Sequence, residues 1–362
     1  DLFIISYIFS SMDIEEEIRK LEEEIKNTPY NKATEHHIGK LKAKLAKLRE
    51  ERIKKGGKKG HGFAIKKTGD ASVAIIGPPS VGKSTLLNRL TNAKSKVGEY
   101  DFTTTNVIPG IMEYEGYKIQ IIDLPGIIYG ASAGRGRGKE IISMARVVDL
   151  IIIMVDIYTL DEIERIKKEL KQAGIRINEK KPDVIIKKKD RGGIHVEFSR
   201  KGKLNEETAK AIIMEYMSNA DVVIRDDITD EQLIDAIIGN RVYLPAIFVV
   251  NKIDEEKVER KEDYVYISAK NGDGIEELRK KMLEKLQLIR VYMKPEGKKV
   301  EEEPMVLKKG STIRDICIKL HREFLENFRY AIVNGPSASF PGQRVGLAHE
   351  VKDGDIITIV AR

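Results

Sequence analysis

The chain is organised around the stretch Gly77-Pro78-Pro79-Ser80-Val81-Gly82-Lys83-Ser84-Thr85. This stretch matches G-x-x-x-x-G-K-[ST], a loop whose backbone N–H groups and following helix N-terminus surround phosphate oxygens. An apolar run at residues 72–76 precedes it and a helical pattern at residues 85–90 follows it, as such a loop requires. We therefore expect Lys83 to reach the β- and γ-phosphates of a nucleotide and Ser84 to bind Mg²⁺ through its hydroxyl.

Two further stretches supply groups for a metal ion and for a base. Asp123-Leu124-Pro125-Gly126 follows a strand expected at residues 118–122, so Asp123 can hold Mg²⁺ through water and the Gly126 N–H can meet the γ-phosphate. Asn251-Lys252-Ile253-Asp254 ends a strand expected at residues 246–250. The Asp254 carboxylate can accept from both the ring N–H and the amine of guanine, which adenine cannot match, so GTP is favoured over ATP. Asn251 is expected to brace the phosphate loop and the Lys252 stem to cover the base.

A last stretch, Ser268-Ala269-Lys270, follows a strand expected at residues 264–267 and can donate a backbone N–H to the guanine oxygen. All four stretches thus lie at the carboxyl ends of expected strands, where open α/β sheets bind their ligands. Between the first two lies Phe102-Thr103-Thr104-Thr105, a loop in which a threonine can close over the γ-phosphate and bind Mg²⁺. Spacing alone does not choose among the three threonines.

Strands and helices alternate from residue 72 onward, with further strands expected at residues 118–122, 150–155, 246–250 and 264–267. This alternation predicts an α/β fold with a mostly parallel sheet and helices on both faces. The connection between the strands expected at residues 150–155 and 246–250 is much longer than a parallel crossover requires. The helix expected at residues 161–172 would be enough to make that connection. We interpret the surplus, residues 175–239, as an α+β insert in a nucleotide-binding domain of residues 68–290.

The insert has a pattern of its own. Strand-like runs at residues 184–186 and 194–198 flank Gly192-Gly193, which predicts a hairpin, and helices expected at residues 206–217 and 230–238 enclose a strand at residues 221–224. Its strand-turn segment is rich in lysine and arginine. Contact with nucleic acid and a plain solvated surface both explain these charges.

The N-terminal region, residues 12–67, reads as a helical pair followed by a basic arm. Apolar residues recur at helical spacing on both sides of Thr28-Pro29-Tyr30-Asn31, and the short break predicts antiparallel helices. The first helix is acidic, whereas the second helix and its Gly-rich tail are basic, which suits either a phosphate-backbone contact or a solvated linker. Residues 1–11 are interpreted as an upstream extension before Met12, with a short membrane-touching tail as the alternative.

The C-terminal region, residues 291–362, changes pattern again. Short strands are expected at residues 291–293, 305–307, 330–333 and 356–359. A helix expected at residues 312–328 is opened by Ser311 or Thr312, with Asp315 in its first turn. This arrangement is typical of a β-grasp module, and because it contains no catalytic cluster we expect it to dock rather than to catalyse.

The composition limits the class of protein. The chain has 362 residues, 33% of them charged, and a formal net charge of +7, which is typical of a globular protein of two or three domains. The single cysteine, Cys317, excludes an internal disulfide framework and fits a reducing compartment, so a cytoplasmic location is expected. The sequence has no run of 18 apolar residues, and no membrane span is expected.

These motifs resemble those of the Obg-like GTPases, and most closely their developmentally regulated GTP-binding (DRG) subfamily. The resemblance is carried by Phe102-Thr103-Thr104, Gly126-Ile127-Ile128-Tyr129-Gly130-Ala131-Ser132 and Thr28-Pro29-Tyr30-Asn31-Lys32-Ala33-Thr34-Glu35-His36-His37. It implies an N-terminal helix-turn-helix, a P-loop GTPase domain with an insert like the second domain of ribosomal protein S5, and a C-terminal TGS domain. It also implies that Thr104 binds Mg²⁺ and that Lys83, Thr104 and Gly126 act in hydrolysis.

The same resemblance implies a protein that hydrolyses GTP to GDP and phosphate with Mg²⁺ and acts as a switch on the ribosome or structured RNA. Ile127 stands where many GTPases carry a glutamine that orients water, so slow hydrolysis is expected. Relatives that use K⁺ often carry Asn in the phosphate loop where this chain has Ser80, so K⁺ is kept only as a weakly supported activator. DRG relatives also commonly work with a dedicated partner protein.

Two alternatives stay open at this point. An RNA- or ribosome-binding adaptor would keep the GTP site as a structural element that barely hydrolyses. An Obg-like ATPase would have no need of a guanine reader, and Asp254 argues against it. Phosphate release in a single-turnover assay separates the adaptor from the GTPase.

Overall fold

The computed structural model describes residues 2–55, 68–91, 109–124, 143–200 and 202–361. These residues form two compact units. One unit contains the N-terminal helices and the described residues of 169–243, and the other contains the described residues of 68–168 and 244–361. The N-terminal helices and the insert therefore lie in the same unit.

The described helices are α1 (Leu2–Asn27), α2 (Glu35–Lys55), α3 (Lys83–Leu90), α4 (Glu162–Gln172), α5 (Glu206–Met214), α6 (Asp230–Ile238), α7 (Ile275–Leu286), α8 (Ile313–Leu320) and α9 (Arg322–Glu326). The described strands are β1 (Ala71–Ile76), β2 (Pro109–Tyr114), β3 (Tyr117–Asp123), β4 (Leu150–Asp156), β5 (Ile175–Ile177), β6 (Val184–Lys188), β7 (Ile194–Phe198), β8 (Ala220–Ile224), β9 (Val242–Leu244), β10 (Ala246–Asn251), β11 (Tyr264–Tyr266), β12 (Leu288–Met293), β13 (Met305–Lys308), β14 (Phe328–Asn334), β15 (Gln343–Val345) and β16 (Asp355–Ala361). None of these helices has the length and apolar character needed to cross a bilayer.

The central sheet has the strand order β11-β10-β4-β1-β3-β2. Only the edge strand β2 runs antiparallel to its neighbour; the other paired strands are parallel. Every residue of β1 and β4 is buried, as expected for central strands of a parallel sheet. The predicted α/β fold is confirmed. β2 is absent from the strands predicted from the sequence, because it opens with Pro109-Gly110, residues that usually mark a break.

The insert contains a three-stranded sheet with the order β6-β8-β7. β8 is antiparallel to β6 and parallel to β7, so the predicted hairpin between residues 184–186 and 194–198 is wrong. The reason is burial: Ala220, Val222 and Ile224 of β8 are buried in the core of the insert, whereas β6 and β7 are half-exposed. The most buried strand therefore takes the centre. α5 also ends at Met214, earlier than the predicted residue 217.

The N-terminal helices pack against each other and against the insert. Ile14 and Ile18 of α1 form a small core with Leu45 of α2. Ala43, on another face of α2, is fully buried in the core of the insert, and its carbonyl oxygen accepts a hydrogen bond of 2.9 Å from the Tyr216 hydroxyl. The helical pair is thus part of the folded insert unit.

The C-terminal strands form a sheet with the order β13-β12-β16-β14-β15, and α8 contributes Ile313, Ile316 and Cys317 to its core. The single helix predicted at residues 312–328 is wrong. The backbone is extended at His321, whose ring accepts the N–H of Glu323 and so begins α9, and residue 328 already belongs to β14.

This C-terminal sheet contacts the tip of the β2–β3 hairpin within the same unit. Arg290 donates from its Nη1 to the Glu115 carbonyl at 2.9 Å and pairs through Nη2 with Asp353 at 2.9 Å. Tyr117 is buried beside them, and burial together with the Asp353 charge raises its pKa to about 12. Val306 of β13 joins the apolar core of the central sheet, so the two domains share buried contacts.

Candidate nucleotide site

The loop after β1 fits closely against its neighbours, and two of its positions require glycine. A Cβ added at Gly77 would lie 1.9 Å from the Met154 carbonyl oxygen of β4. A Cβ added at Gly82 would lie 2.5 Å from the Asn251 amide nitrogen, and the φ angle of Gly82 is +94°. Because α3 begins at Lys83, the unsatisfied N–H groups of its first turn open into this loop.

Lys83 lies inside the loop rather than in solvent. Its Nζ donates to the carbonyl oxygens of Pro78 at 2.7 Å and of Gly77 at 3.1 Å. Burial lowers the pKa of this ammonium, and the negative charge of Asp123 opposes the shift. Among the described residues this buried cation is held by neutral carbonyls, and it can form stronger hydrogen bonds with charged phosphate oxygens.

Ser84 and Asp123, two of the three predicted Mg²⁺ ligands, lie side by side. The Ser84 hydroxyl donates to Asp123 Oδ2 at 2.9 Å, across the ends of α3 and β3. Asp123 Oδ1 is buried and accepts no hydrogen bond from the described residues. Mg²⁺ is commonly bound by one or two protein oxygens completed by water and phosphate. The pair therefore fits Mg²⁺, and the described residues contain no cluster of three His, Cys, Asp or Glu that could hold a metal on its own.

Asn251 joins the phosphate loop to the loop after β11. Its Nδ2 donates to the Val81 carbonyl at 2.8 Å, and its Oδ1 accepts the Ala269 N–H at 2.9 Å. The side chain is buried, so both hydrogen bonds are protected from water. A single amide thus fixes the distance between a phosphate-binding loop and a loop expected to read the base.

Lys252 is held in place by Asp156, at the end of the adjacent strand β4. The ammonium pairs with Asp156 Oδ2 at 2.7 Å, and Lys252 has a φ angle of +66°. Asp156 is buried, which by itself raises its pKa. The hydrogen bonds from Lys252 and from the Thr159 hydroxyl outweigh burial, so the pKa lies below its ordinary value and the carboxylate stays charged. The Lys252 stem is thereby anchored at the edge of the sheet.

Asp254 is exposed, and the buried Ser268 supports it. A hydrogen bond from the Ser268 hydroxyl lowers the pKa of Asp254 below its ordinary value and so further favours the ionised carboxylate. The backbone contact between the two loops is direct, because the Ile253 N–H donates to the Ile267 carbonyl. An ionised carboxylate in this position can accept two hydrogen bonds from one edge of a purine.

The structure brings most of the predicted site residues to one edge of the sheet. The phosphate loop of residues 77–85, Asp123 with Leu124, residues 251–254 and residues 268–270 follow β1, β3, β10 and β11 respectively. Leu124 is anchored by its N–H to the Ile75 carbonyl. The remaining predicted residues are Phe102, Thr103, Thr104, Pro125, Gly126 and Ile127. They lie outside the described residues, and their roles stay predictions.

Sequence reasoning missed two residues that support this site. Asp156 carries the signal that identified Asp123, a carboxylate at the carboxyl end of a buried strand, and could have been found by it. Arg89, in the last turn of α3, donates to the carbonyl oxygens of Ala269 and Lys270. No local pattern marks Arg89, because its partners are distant in the sequence.

Comparison with known proteins gives matches over most of the chain. Residues 72–189 match the family model described as 50S ribosome-binding GTPase, and residues 191–288 match the C-terminal region of the MMR_HSR1 domain. Residues 289–361 match the TGS domain. These matches follow one another without overlap and leave the N-terminal helices outside.

Similar proteins align over nearly their full length. A GTP-binding protein of Methanocaldococcus jannaschii is 55% identical over 97% of this chain and 94% of its own length. Developmentally-regulated G-protein 3 of Arabidopsis thaliana is 44% identical over 96% and 99%. Developmentally-regulated GTP-binding protein 1 of Xenopus laevis is 43% identical over 95% and 98%. The similarity therefore includes the N-terminal helices, the insert and the C-terminal domain.

Proposed function

The chain belongs to the developmentally regulated GTP-binding proteins, and from this premise we propose that it hydrolyses GTP to GDP and phosphate, acting as a cytoplasmic switch on the ribosome or structured RNA. The observation that carries the proposal is the meeting of four loops at one sheet edge. Lys83 and the Ser84–Asp123 pair lie at one end of the site, and Asn251 ties the phosphate loop to the loop of residues 268–270.

The described residues have distinct roles in this proposal. Lys83 binds and neutralises the β- and γ-phosphate oxygens, and Ser84 and Asp123 hold Mg²⁺, which supplies charge neutralisation on the phosphates. Asp254 and the loop of residues 268–270 select the base. Thr104 and the Gly126 N–H are proposed to contact the metal and the γ-phosphate, respectively. Since Ile127 offers no polar group to orient water, hydrolysis is proposed to be slow until a partner or a monovalent cation such as K⁺ assists.

Single-turnover phosphate release tests the hydrolysis. We expect slow, Mg²⁺-dependent release from the native chain that ribosomes accelerate. Ser84→Ala should raise the Mg²⁺ concentration needed for half-maximal release about tenfold, because it removes a protein ligand and leaves Asp123 without its hydrogen bond.

Ser199→Ala, at an exposed position of the insert, is the matched control and should leave the Mg²⁺ dependence unchanged. No phosphate release even with ribosomes and K⁺ would identify the chain as an adaptor whose GTP site is structural.

A ribosomal or RNA partner is supported by charge and by the family description of residues 72–189 as a ribosome-binding GTPase. The basic arm after α2, with Lys58, Lys59, Lys66 and Lys67, carries charges suited to phosphate contacts. A dedicated partner protein remains part of the proposal. Deletion of residues 40–67 would not test the basic arm alone, because it would also remove apolar residues of α2 that pack in the core of the insert.

Charge replacement in the arm tests this partner without removing α2. Exchange of Lys58, Lys59, Lys66 and Lys67 for Gln should weaken ribosome or RNA binding. It should also reduce the slope of log affinity against log salt by roughly 0.7–0.9 for each phosphate that the variant no longer neutralises. The control exchanges four lysines on the nucleotide-binding domain, Lys257, Lys261, Lys280 and Lys285. Co-sedimentation over a salt series with GTP analogue or GDP gives the slopes, and equal slopes for the two variants would contradict the role of the arm.

A further inference from the structure

Arg89 links the helix that follows the phosphate loop to the loop expected to read the base. It lies in the last turn of α3, whose first residue is Lys83. Its Nε donates to the Ala269 carbonyl at 3.2 Å, and its Nη2 donates to the Lys270 carbonyl. One guanidinium therefore binds two successive carbonyls of the Ser268-Ala269-Lys270 stretch.

The first of these hydrogen bonds determines where a neighbouring N–H points. The Ala269 carbonyl and the Lys270 N–H belong to the same peptide group, and in a trans peptide the two bonds point in opposite directions. Fixing the carbonyl on Arg89 therefore aims the Lys270 N–H away from Arg89. A cation on the carbonyl also polarises the peptide and makes its N–H a better donor.

The other two N–H groups of this stretch, those of Ser268 and Ala269, are already engaged. The Ala269 N–H donates to Asn251 Oδ1 at 2.9 Å. Ser268 is anchored separately, because its N–H donates to the Asp273 carbonyl at 3.0 Å and its carbonyl accepts the Gly272 N–H at 2.7 Å. These anchors do not hold the Ala269–Lys270 peptide, which Arg89 binds. Replacement of Arg89 should therefore change the direction of this peptide without unfolding the loop.

We propose that Arg89 is a positioning residue for base selection: by holding the Ala269–Lys270 peptide, it directs the Lys270 N–H at the 6-oxo group of guanine. An N–H donor in this place favours an acceptor and opposes the 6-amino group of adenine. Asp254 accepts from the N1–H and the 2-amine of guanine, and the Lys270 N–H donates to the 6-oxo group. Asp254 and Lys270 thus recognise different groups on the same edge of the purine. The inference rests on the proposed binding of a guanine nucleotide at this site, and it adds Arg89 as the residue that orients the Lys270 N–H.

The test changes the base as well as the protein. Affinities for GDP and for the diphosphate of 2,6-diaminopurine riboside are measured for the native chain, Arg89→Met and Arg89→Lys. This base replaces the 6-oxo group with an amine and also lacks the N1–H that Asp254 is expected to bind, a loss common to all three proteins. Arg89→Met should bind GDP about tenfold more weakly, while its affinity for the diaminopurine nucleotide should change less than twofold. Arg89→Lys should recover part of the loss, since an ammonium can hold one of the two carbonyls.

The control is Arg329→Met, at an exposed position of the C-terminal sheet, which should leave both affinities unchanged. Equal losses for the two nucleotides in Arg89→Met, or unchanged GDP affinity, would overturn the positioning role. Failure of the native chain to bind GDP would overturn the nucleotide assignment itself and this inference with it, so the two failures are distinguishable.

Discussion

Asp254→Asn should lower the affinity for GTP and GDP by at least about 100-fold. The exposed Asp254 carboxylate is ionised at neutral pH, and the Ser268 hydroxyl lowers its pKa further, so it can accept two hydrogen bonds from the N1–H and the 2-amine of guanine. Hydrogen bonds to a charged group are worth about 1.5–3 kcal/mol each, and every 1.4 kcal/mol changes the affinity tenfold. An Asn amide in this place presents at most one acceptor and opposes a donor with a donor.

The same substitution should improve the binding of xanthosine nucleotides, because xanthine carries a 2-oxo group that the amide can donate to. Fluorescence titrations with GDP, XDP and ADP measure the effect, and Asp263→Asn, at an exposed position before β11, is the control. A variant that binds GDP as tightly as the native chain would contradict the assigned role. Native binding of ATP as tight as that of GTP would also contradict it.

The sequence predicts the site better than the pairings around it. A phosphate loop needs a strand, glycines at special positions and a helix start, and all of these are local, so Gly77, Gly82 and Lys83 can be recognised from their neighbours alone. Asp123 and Asn251 follow apolar runs that read as buried strands, and parallel strands bring their carboxyl ends to one edge. The order of the motifs therefore contains most of the geometry of the site.

The sequence does not show which strands and side chains that are distant along the chain will pair with each other. The run at residues 194–198 pairs with β8 and not with the nearer run at residues 184–186, because β8 has the most buried face and takes the centre of the sheet. Arg89 is likewise an ordinary arginine in a helix until the fold brings it to Ala269. His321 ends a helix although its flanking residues continue the pattern.

The packing of α2 on the insert is another contact between segments that are distant in the sequence, and it bears on function. The sequence predicts a helical pair followed by a basic arm, but it does not predict that α2 packs against the insert. In the structure, one of the polar contacts between α2 and the insert leads to Asp235, whose side chain is only 4% exposed. Arg176 binds Asp235 through two nitrogens at 2.6 and 2.7 Å, and Arg241 binds it at 2.9 Å. Arg241 also pairs with Glu50 of α2. This network therefore joins the C-terminal part of α2 to the insert.

Asp235→Ala should consequently destabilise the insert unit by about 3–5 kcal/mol. Removing one partner of a buried ion pair leaves the other charge uncompensated, and here Arg176 would lose both of its hydrogen bonds to Asp235. Asp221→Ala, which removes an exposed pair with Lys189, should cost at most about 1 kcal/mol and is the control.

Urea unfolding combined with amide hydrogen exchange in α2 and α6 measures the effect locally, as a chain of several domains requires. A loss below about 1 kcal/mol, or unchanged exchange in α2, would mean that apolar packing alone holds α2 to the insert. Faster exchange in α2 together with weaker ribosome binding would show that the network positions the basic arm for its partner.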